Sequence, residues 1–278
     1  MTIISPFRYP GGKSKYLPKI LPVLMKLDGI SENFVDAFVG GGSVALAIAD
    51  TNPTTRIHLN DKDTRVAAFW KVTSSDSVDK LVDRMDVVPS YDLFTNTQSM
   101  QCTNDVDLAL QAIFLNRTAY SGMLNAGPIG GKRQDGKTKI TDRYNYKVLK
   151  EKILNCNRLL ADRTEVTCED FRTVLSTTCG QHMATYLDPP YILEKGNKLY
   201  PVGMSYDDHR ALADILNDRD NWLLSYDDCE LSRSLYLPEE ISTVPVRYCI
   251  ANDWGGKREL LIGKGGSGKK LENWPTPE

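Results

Sequence analysis

An α/β fold is what this 278-residue sequence predicts, and three observations predict it. Short apolar runs of strand length alternate with helical patterns near both ends of the chain. A run of three glycines, Gly40 to Gly42, joins the first of these strands to a helix. A later strand ends in the rigid corner Asp188-Pro189-Pro190-Tyr191, where two prolines remove two backbone donors and fix two φ angles.

Each element follows from its pattern. "SENFVDAFVGGGSVALAIAD" reads as strand, glycine turn and helix, and "TRIHLND" as a second strand with a polar end. Strand-like runs resume at "TEVTCEDF", "MATYLDPPY", "NWLLSYDD" and "RELLIG", with "SYDDHRALADILND" a capped amphipathic helix between two of them. The sheet is therefore split in sequence: residues 1–71 and 163–278 form one domain, and residues 72–162 are inserted into it. The insertion reads as mainly helical, then turns rich in Gly, Asn, aromatics and bases from Leu115, where a β-hairpin is expected. Beyond Gly263 the chain reads as a flexible tail.

Composition limits the function classes. With 41% hydrophobic and 25% charged residues the chain is an ordinary globular one, and its net charge of -2 advertises no polyanionic partner overall. A nucleic-acid surface has to be local. Between Lys132 and Lys150 stand seven Lys or Arg against two acids, which makes Lys132, Arg133 and Lys139 candidate phosphate contacts. The six cysteines, Cys102, Cys156, Cys168, Cys179, Cys229 and Cys249, lack the close pairs of a zinc site, and no apolar run is long enough for a membrane span. Reduced thiols, a cytoplasmic location and no metal are expected.

The glycine turn lets the backbone approach a ligand and presents helix N-terminal amides to it, so Phe38, Gly40, Gly42 and Ser43 are candidate cofactor contacts. Asp61, about 20 residues on at the end of the next strand, suits the ribose hydroxyls of an adenosine-containing cofactor. The turn lacks the GK[ST] ending of a triphosphate loop. Asp36 beside it repels a pyrophosphate and suits a cation. If that cation is the sulfonium of S-adenosylmethionine, the Asp-Pro-Pro-Tyr corner has a use. An exocyclic amino group on a base is a poor nucleophile, because its lone pair is delocalised. The Asp188 carboxylate and the Pro189 carbonyl can each accept one N–H and aim the lone pair, Pro190 stiffens the corner, and Tyr191 can stack on the base.

Four ordered segments, "FRYPGGKSKYLPKI", "FVDAFVGGGSVAL", "LNRTAYSGML" and "YLDPPY", resemble the Dam-like DNA adenine-N6 methyltransferases, the α-ordered amino-methyltransferases. The resemblance covers nearly the whole chain. It implies a Rossmann-like S-adenosylmethionine-dependent sheet, an inserted target-recognition domain, and methyl transfer to adenine N6 in double-stranded DNA on a flipped-out base. A restriction-modification setting with a cognate endonuclease, and a monomer or weak dimer, are also implied. By matching positions, Tyr9 and Lys13 resemble cofactor contacts, Asp188 a residue shared between cofactor and substrate, and Asp170 and Phe171 the segment beside the cofactor's adenine. Arg8, Asn116 and Arg117 match DNA-facing positions, Tyr120 and Ser121 the pair that wedges into the duplex, and Arg143 and Tyr144 an Arg-Tyr on the recognition hairpin. Asn125 stands where members that methylate GATC carry a guanine-reading arginine, and asparagine prefers adenine. An RNA-adenine or protein-glutamine methyltransferase is the alternative within the same chemistry, and a non-catalytic cofactor-dependent DNA-binding module the alternative outside it.

Overall fold

The chain's structure, a computed structural model, describes residues 5–8, 11–178, 182–191, 203–238, 241–245 and 258–265. Parallel strands are set by their apolar runs: β1 (Asn33–Asp36), β2 (Arg56–Asn60), β3 (Thr164–Thr167), β4 (Met183–Leu187) and β5 (Trp222–Asp227). All of β4 but its first residue, and all of β5 but its last, are buried, as expected of strands covered on both faces. Two further strands, β6 (Ile241–Pro245) and β7 (Arg258–Lys264), bring the sheet among the described residues to seven strands in the order β3-β2-β1-β4-β5-β7-β6. β7 runs antiparallel to both its neighbours, β5 and β6.

This is the Rossmann-like sheet expected. β6 is an addition to the reading, because "ISTVP" is short and ends in proline. Its place at the sheet edge explains how Pro245 is tolerated, since an edge strand leaves one row of donors unpaired in any case.

Helices cover both faces. α1 (Leu17–Leu24), α2 (Ser43–Thr51) and α3 (Thr64–Thr73) come from the first part of the chain, with Asp63 capping α3 by accepting from the Arg65 N–H. The segment 72–162 adds α4 (Val78–Arg84), α5 (Tyr91–Gln98), α6 (Asp105–Thr118) and α7 (Tyr146–Leu160). Phe94, Ile113, Phe114, Leu149 and Ile153 from these helices share one apolar core with Ile20, Leu46 and Phe69. α8 (Phe171–Thr177) and α9 (Tyr206–Asn217) pack with Trp222, Leu224 and Leu260 in a second core, and α10 (Glu230–Leu235) follows β5. Ser205 and Asp208 form the capping box read at the start of α9. Among the described residues no helix is long and apolar enough to cross a membrane.

The β-hairpin expected between α6 and α7 does not form. A single antiparallel bridge, Ala119 to Pro128, stands in its place. Gly130 and Gly131 both have positive φ, and Gln134 ties the loop to itself by donating to the Ile129 carbonyl and accepting from the Ile140 N–H. Glycines supply no side chains for cross-strand pairs, so local hydrogen bonds win over a ladder.

Candidate active site

Strand order reverses at β1, which pairs with β2 on one side and β4 on the other, and an open α/β sheet splays its loops apart at such a point. The cleft there is lined by Lys13, Asp36, Phe38, Gly40 to Ser43, Asp61, Asp170, Phe171, Asp188 and Pro190, among others. The glycine turn and the acid-proline corner, 148 residues apart between Gly40 and Asp188, thus face one space.

The turn is built on an indole. Trp70 of α3 is buried and donates its Nε1–H to the Gly40 carbonyl at 2.9 Å. Gly42, at φ +66°, caps α2, and a Cβ added there would stand 2.4 Å from Trp70 Cζ2. Backbone handedness and packing both demand glycine. Ser43 opens α2 and shares a 2.8 Å hydrogen bond with the Ser14 hydroxyl.

Asp61, Asp36 and Asp170 are among the acids that line the cleft with the turn. Asp61 accepts the Gly40 N–H on Oδ2 and the Asp63 N–H on Oδ1, each at 2.9 Å, which fixes its carboxylate while leaving each oxygen a lone pair. Burial pushes its pKa to about 7 despite those two bonds. Asp36 is buried at the end of β1, and its Oδ1 has no hydrogen-bond partner among the described residues. Burial, then the nearby Asp188, drives its pKa well above the carboxylate range. Such a group accepts a cationic or hydrogen-bond-donating ligand. Asp170 is already engaged: it caps α8 through the Arg172 N–H and pairs with Lys62 at 2.7 Å and Arg172 at 3.0 Å. Its neighbour Phe171 is buried against Phe38, ring centroids 5.8 Å apart, which gives the cleft an apolar wall.

At the corner, Lys13 is the hub. Its side chain is 2% exposed, and Nζ donates to Asp188 Oδ1 at 2.6 Å, the Tyr191 hydroxyl at 2.6 Å and the Gly11 carbonyl at 2.9 Å. Tyr191 donates onward to Glu259 Oε1 at 2.5 Å. Burial raises the Asp188 pKa to about 6; Lys13 pulls it down and Glu259 pushes it up. Asp188 Oδ2 has no partner among the described residues, so one oxygen is anchored and the other is available. Sequence reading missed Glu259, which arrives on β7 with no local motif, and Trp70, which reads as an ordinary helix aromatic. Tyr9 lies outside the described residues.

The residues matched to DNA contacts divide in two. Arg8, Arg117 and Arg143 gather: Arg117 donates to the Arg143 carbonyl at 2.8 Å, and burial with the repulsion of Arg8 and Arg143 lowers the Arg117 pKa to about 10. Among the described residues none of the three pairs with an acid. Tyr120 projects beside them, 64% exposed, next to Ser121 at φ +55°. Asn125 is exposed, and Lys132, Arg133 and Lys139 lie on the glycine loop, where Arg133 reaches Asp135 at 3.2 Å and Lys139 donates to the Gln134 carbonyl.

Asn116 and Tyr144 turn their side chains inward. Asn116 is buried and spends its amide on the Arg8 N–H, the Arg8 carbonyl and the Gly122 carbonyl, at 2.7, 2.8 and 3.0 Å. Tyr144 is buried against Phe114 and donates to the Met85 carbonyl at 2.8 Å. Both side chains bond within the protein and brace its framework. His209 is buried against the Tyr226 hydroxyl, and burial lowers its pKa to about 4.

Compared with known proteins, residues 9–250 match the family model described as D12 class N6 adenine-specific DNA methyltransferase. A search of curated proteins returns no match.

Proposed function

The chain belongs to the D12 class N6 adenine-specific DNA methyltransferase family, and from that premise we propose that it uses S-adenosylmethionine to methylate adenine N6 at a specific site in double-stranded DNA, on a base flipped out of the duplex. The observation that carries this reading is the convergence of Asp36, Asp61 and Asp188 with the glycine turn in one cleft at the β1/β4 reversal.

The residues present suit that cofactor. Bound there, S-adenosylmethionine supplies an electrophilic methyl group on a sulfonium. Asp61, held by two backbone N–H groups, would accept from two ribose hydroxyls. The unpartnered buried Oδ1 of Asp36 would take an ammonium or balance the positive charge. Phe38 and Phe171 offer an apolar wall for an adenine ring.

On the substrate side, Asp188 Oδ2 and the Pro189 carbonyl accept the two amino hydrogens and direct the nitrogen lone pair. Positioning of this kind loses its effect with displacements near 1 Å. Lys13 holds the opposite oxygen of Asp188, and Glu259 holds the Tyr191 hydroxyl, so neither acceptor nor stacking ring is free to swing. Methyl transfer, in which the S–CH₃ bond would break to release a neutral thioether as N–CH₃ forms, would leave a surplus proton on the amino nitrogen. Asp188, its pKa already raised to about 6, is the adjacent base that can receive it.

The test is incubation of the protein with labelled S-adenosylmethionine and a plasmid of diverse sequence, followed by modification-sensitive sequencing. Label on adenine N6 in the wild type, and a loss of about a hundredfold or more in Asp188→Ala with the fold intact, is the expected result. Undiminished turnover in Asp188→Ala, or label on another acceptor, overturns the reading.

A further inference from the structure

Next to the cleft, a chain of hydrogen bonds runs from the cofactor acid to the exposed loop that follows α6. Asp63, whose N–H is held by Asp61, grips the Arg65 guanidinium with both carboxylate oxygens: Nε to Oδ1 at 3.0 Å and Nη2 to Oδ2 at 2.8 Å. The remaining arm, Nη1, donates to Asn125 Oδ1 at 3.1 Å. Arginine has no acceptor, so the atom of Asn125 that faces it has to be the oxygen. The orientation of an exposed asparagine amide, normally free, is therefore fixed by an arginine that is itself fixed by an ion pair.

That changes what the position offers to a base. A lone asparagine presents one donor and one acceptor, the complement of adenine N7 and N6. Here one lone pair of the oxygen is taken by the Arg65 guanidinium, whose positive charge opposes the approach of a second donor such as adenine N6–H. Nδ2 of Asn125 has no partner among the described residues, and Arg65 Nη1 keeps a second hydrogen. Two adjacent donors remain. Guanine is the one base whose major-groove edge carries two adjacent acceptors, O6 and N7.

We propose that Arg65 and Asn125 act together as a composite reader of guanine, with Arg65 as a specificity-determining residue that both orients Asn125 and contributes a donor. The inference rests on the reading of this protein as one that binds double-stranded DNA. It replaces the preference for adenine that Asn125 alone implies.

The test uses binding, so that it does not depend on turnover. Fluorescence competition with the full chain compares duplexes in which each position of the bound site carries guanine, adenine or 7-deazaguanine, which lacks the N7 acceptor. The wild type is expected to lose about tenfold in affinity when one particular guanine is replaced by either analogue. Arg65→Ala and Asn125→Ala should each reduce that discrimination to within about threefold, at the same base pair, and Arg65→Ala should then favour adenine there. Asn125 is exposed, so its replacement leaves folding intact even where the loss of Arg65 frees Asp63. Wild-type indifference to guanine at every position, discrimination that survives either substitution, or losses at two different base pairs would each overturn the proposal. Methylation scored on the same duplexes separates this outcome from failure of the enzymatic reading.

Discussion

Replacing Lys13 with methionine isolates the charge that governs the corner. Its Nζ lies 2.6 Å from Asp188 Oδ1, with the two side chains 2% and 22% exposed, so solvent screens the pair little. An opposite charge at such a distance lowers a carboxyl pKa by about 1–3. With it removed, the Asp188 pKa should climb from about 6 to roughly 7–9. The sign is fixed by the chemistry. The ionised carboxylate attracts the amino hydrogens, so activity is present above the pKa and lost as pH falls through it. In the wild type that loss begins near pH 6; in Lys13→Met it should begin above neutrality, costing about tenfold at pH 7 and recovering in alkali. Glu259 pushes the other way, so Glu259→Gln should move the acid limb below its wild-type position. The assay is kcat/KM for DNA as a function of pH, run below the melting temperature of each variant, because Lys13→Met also leaves Glu259 buried beside Asp188 without its cation. Superimposable profiles for Lys13→Met and wild type, in a folded variant, would refute the argument.

Other outcomes follow from the same geometry. Gly42→Ala should cost about 2–5 kcal/mol, from a left-handed backbone and the contact with Trp70, seen as a fall of about 5–15 °C in Tm by calorimetry. Tyr144→Phe should cost about 1 kcal/mol of stability while leaving DNA affinity unchanged, since its hydroxyl serves the Met85 carbonyl. Arg8→Ala combined with Arg143→Ala should weaken DNA binding and flatten its logarithmic salt dependence by about one to two, measured by titration at several ionic strengths. An unchanged slope would place the arginine cluster away from the phosphates.

How much of this was legible in the sequence depends on the range of the interaction. Strands β1 to β5 and β7 follow from apolar runs, and the start of α9 from its capping box, because these are local patterns. β6 escaped because Pro245 argues against a strand until its edge position is known. The hairpin was expected from a composition rich in bases and aromatics, and was lost to the self-contained bonding of Gln134. At the cleft, the glycine turn, Asp61 and the Asp188 corner were each readable from neighbouring residues. That Lys13 anchors Asp188 is a contact across 175 residues, and no spacing rule reaches so far. The same limit hid the burial of Asn116 and Tyr144 and the hold of Arg65 on Asn125, which are set by packing rather than by the identity of those residues.

The placement of β7 has a consequence for biogenesis. It is made after β6 yet sits between β6 and β5, so a growing chain must leave that slot vacant, or close it wrongly, until residues 258–264 leave the ribosome. Glu259, which holds Tyr191, arrives with that strand and lies beyond the 9–250 stretch that carries the family signature. A nascent chain halted near residue 250 would therefore contain every recognisable motif and still lack an assembled corner. Competence is withheld until β7 has been made.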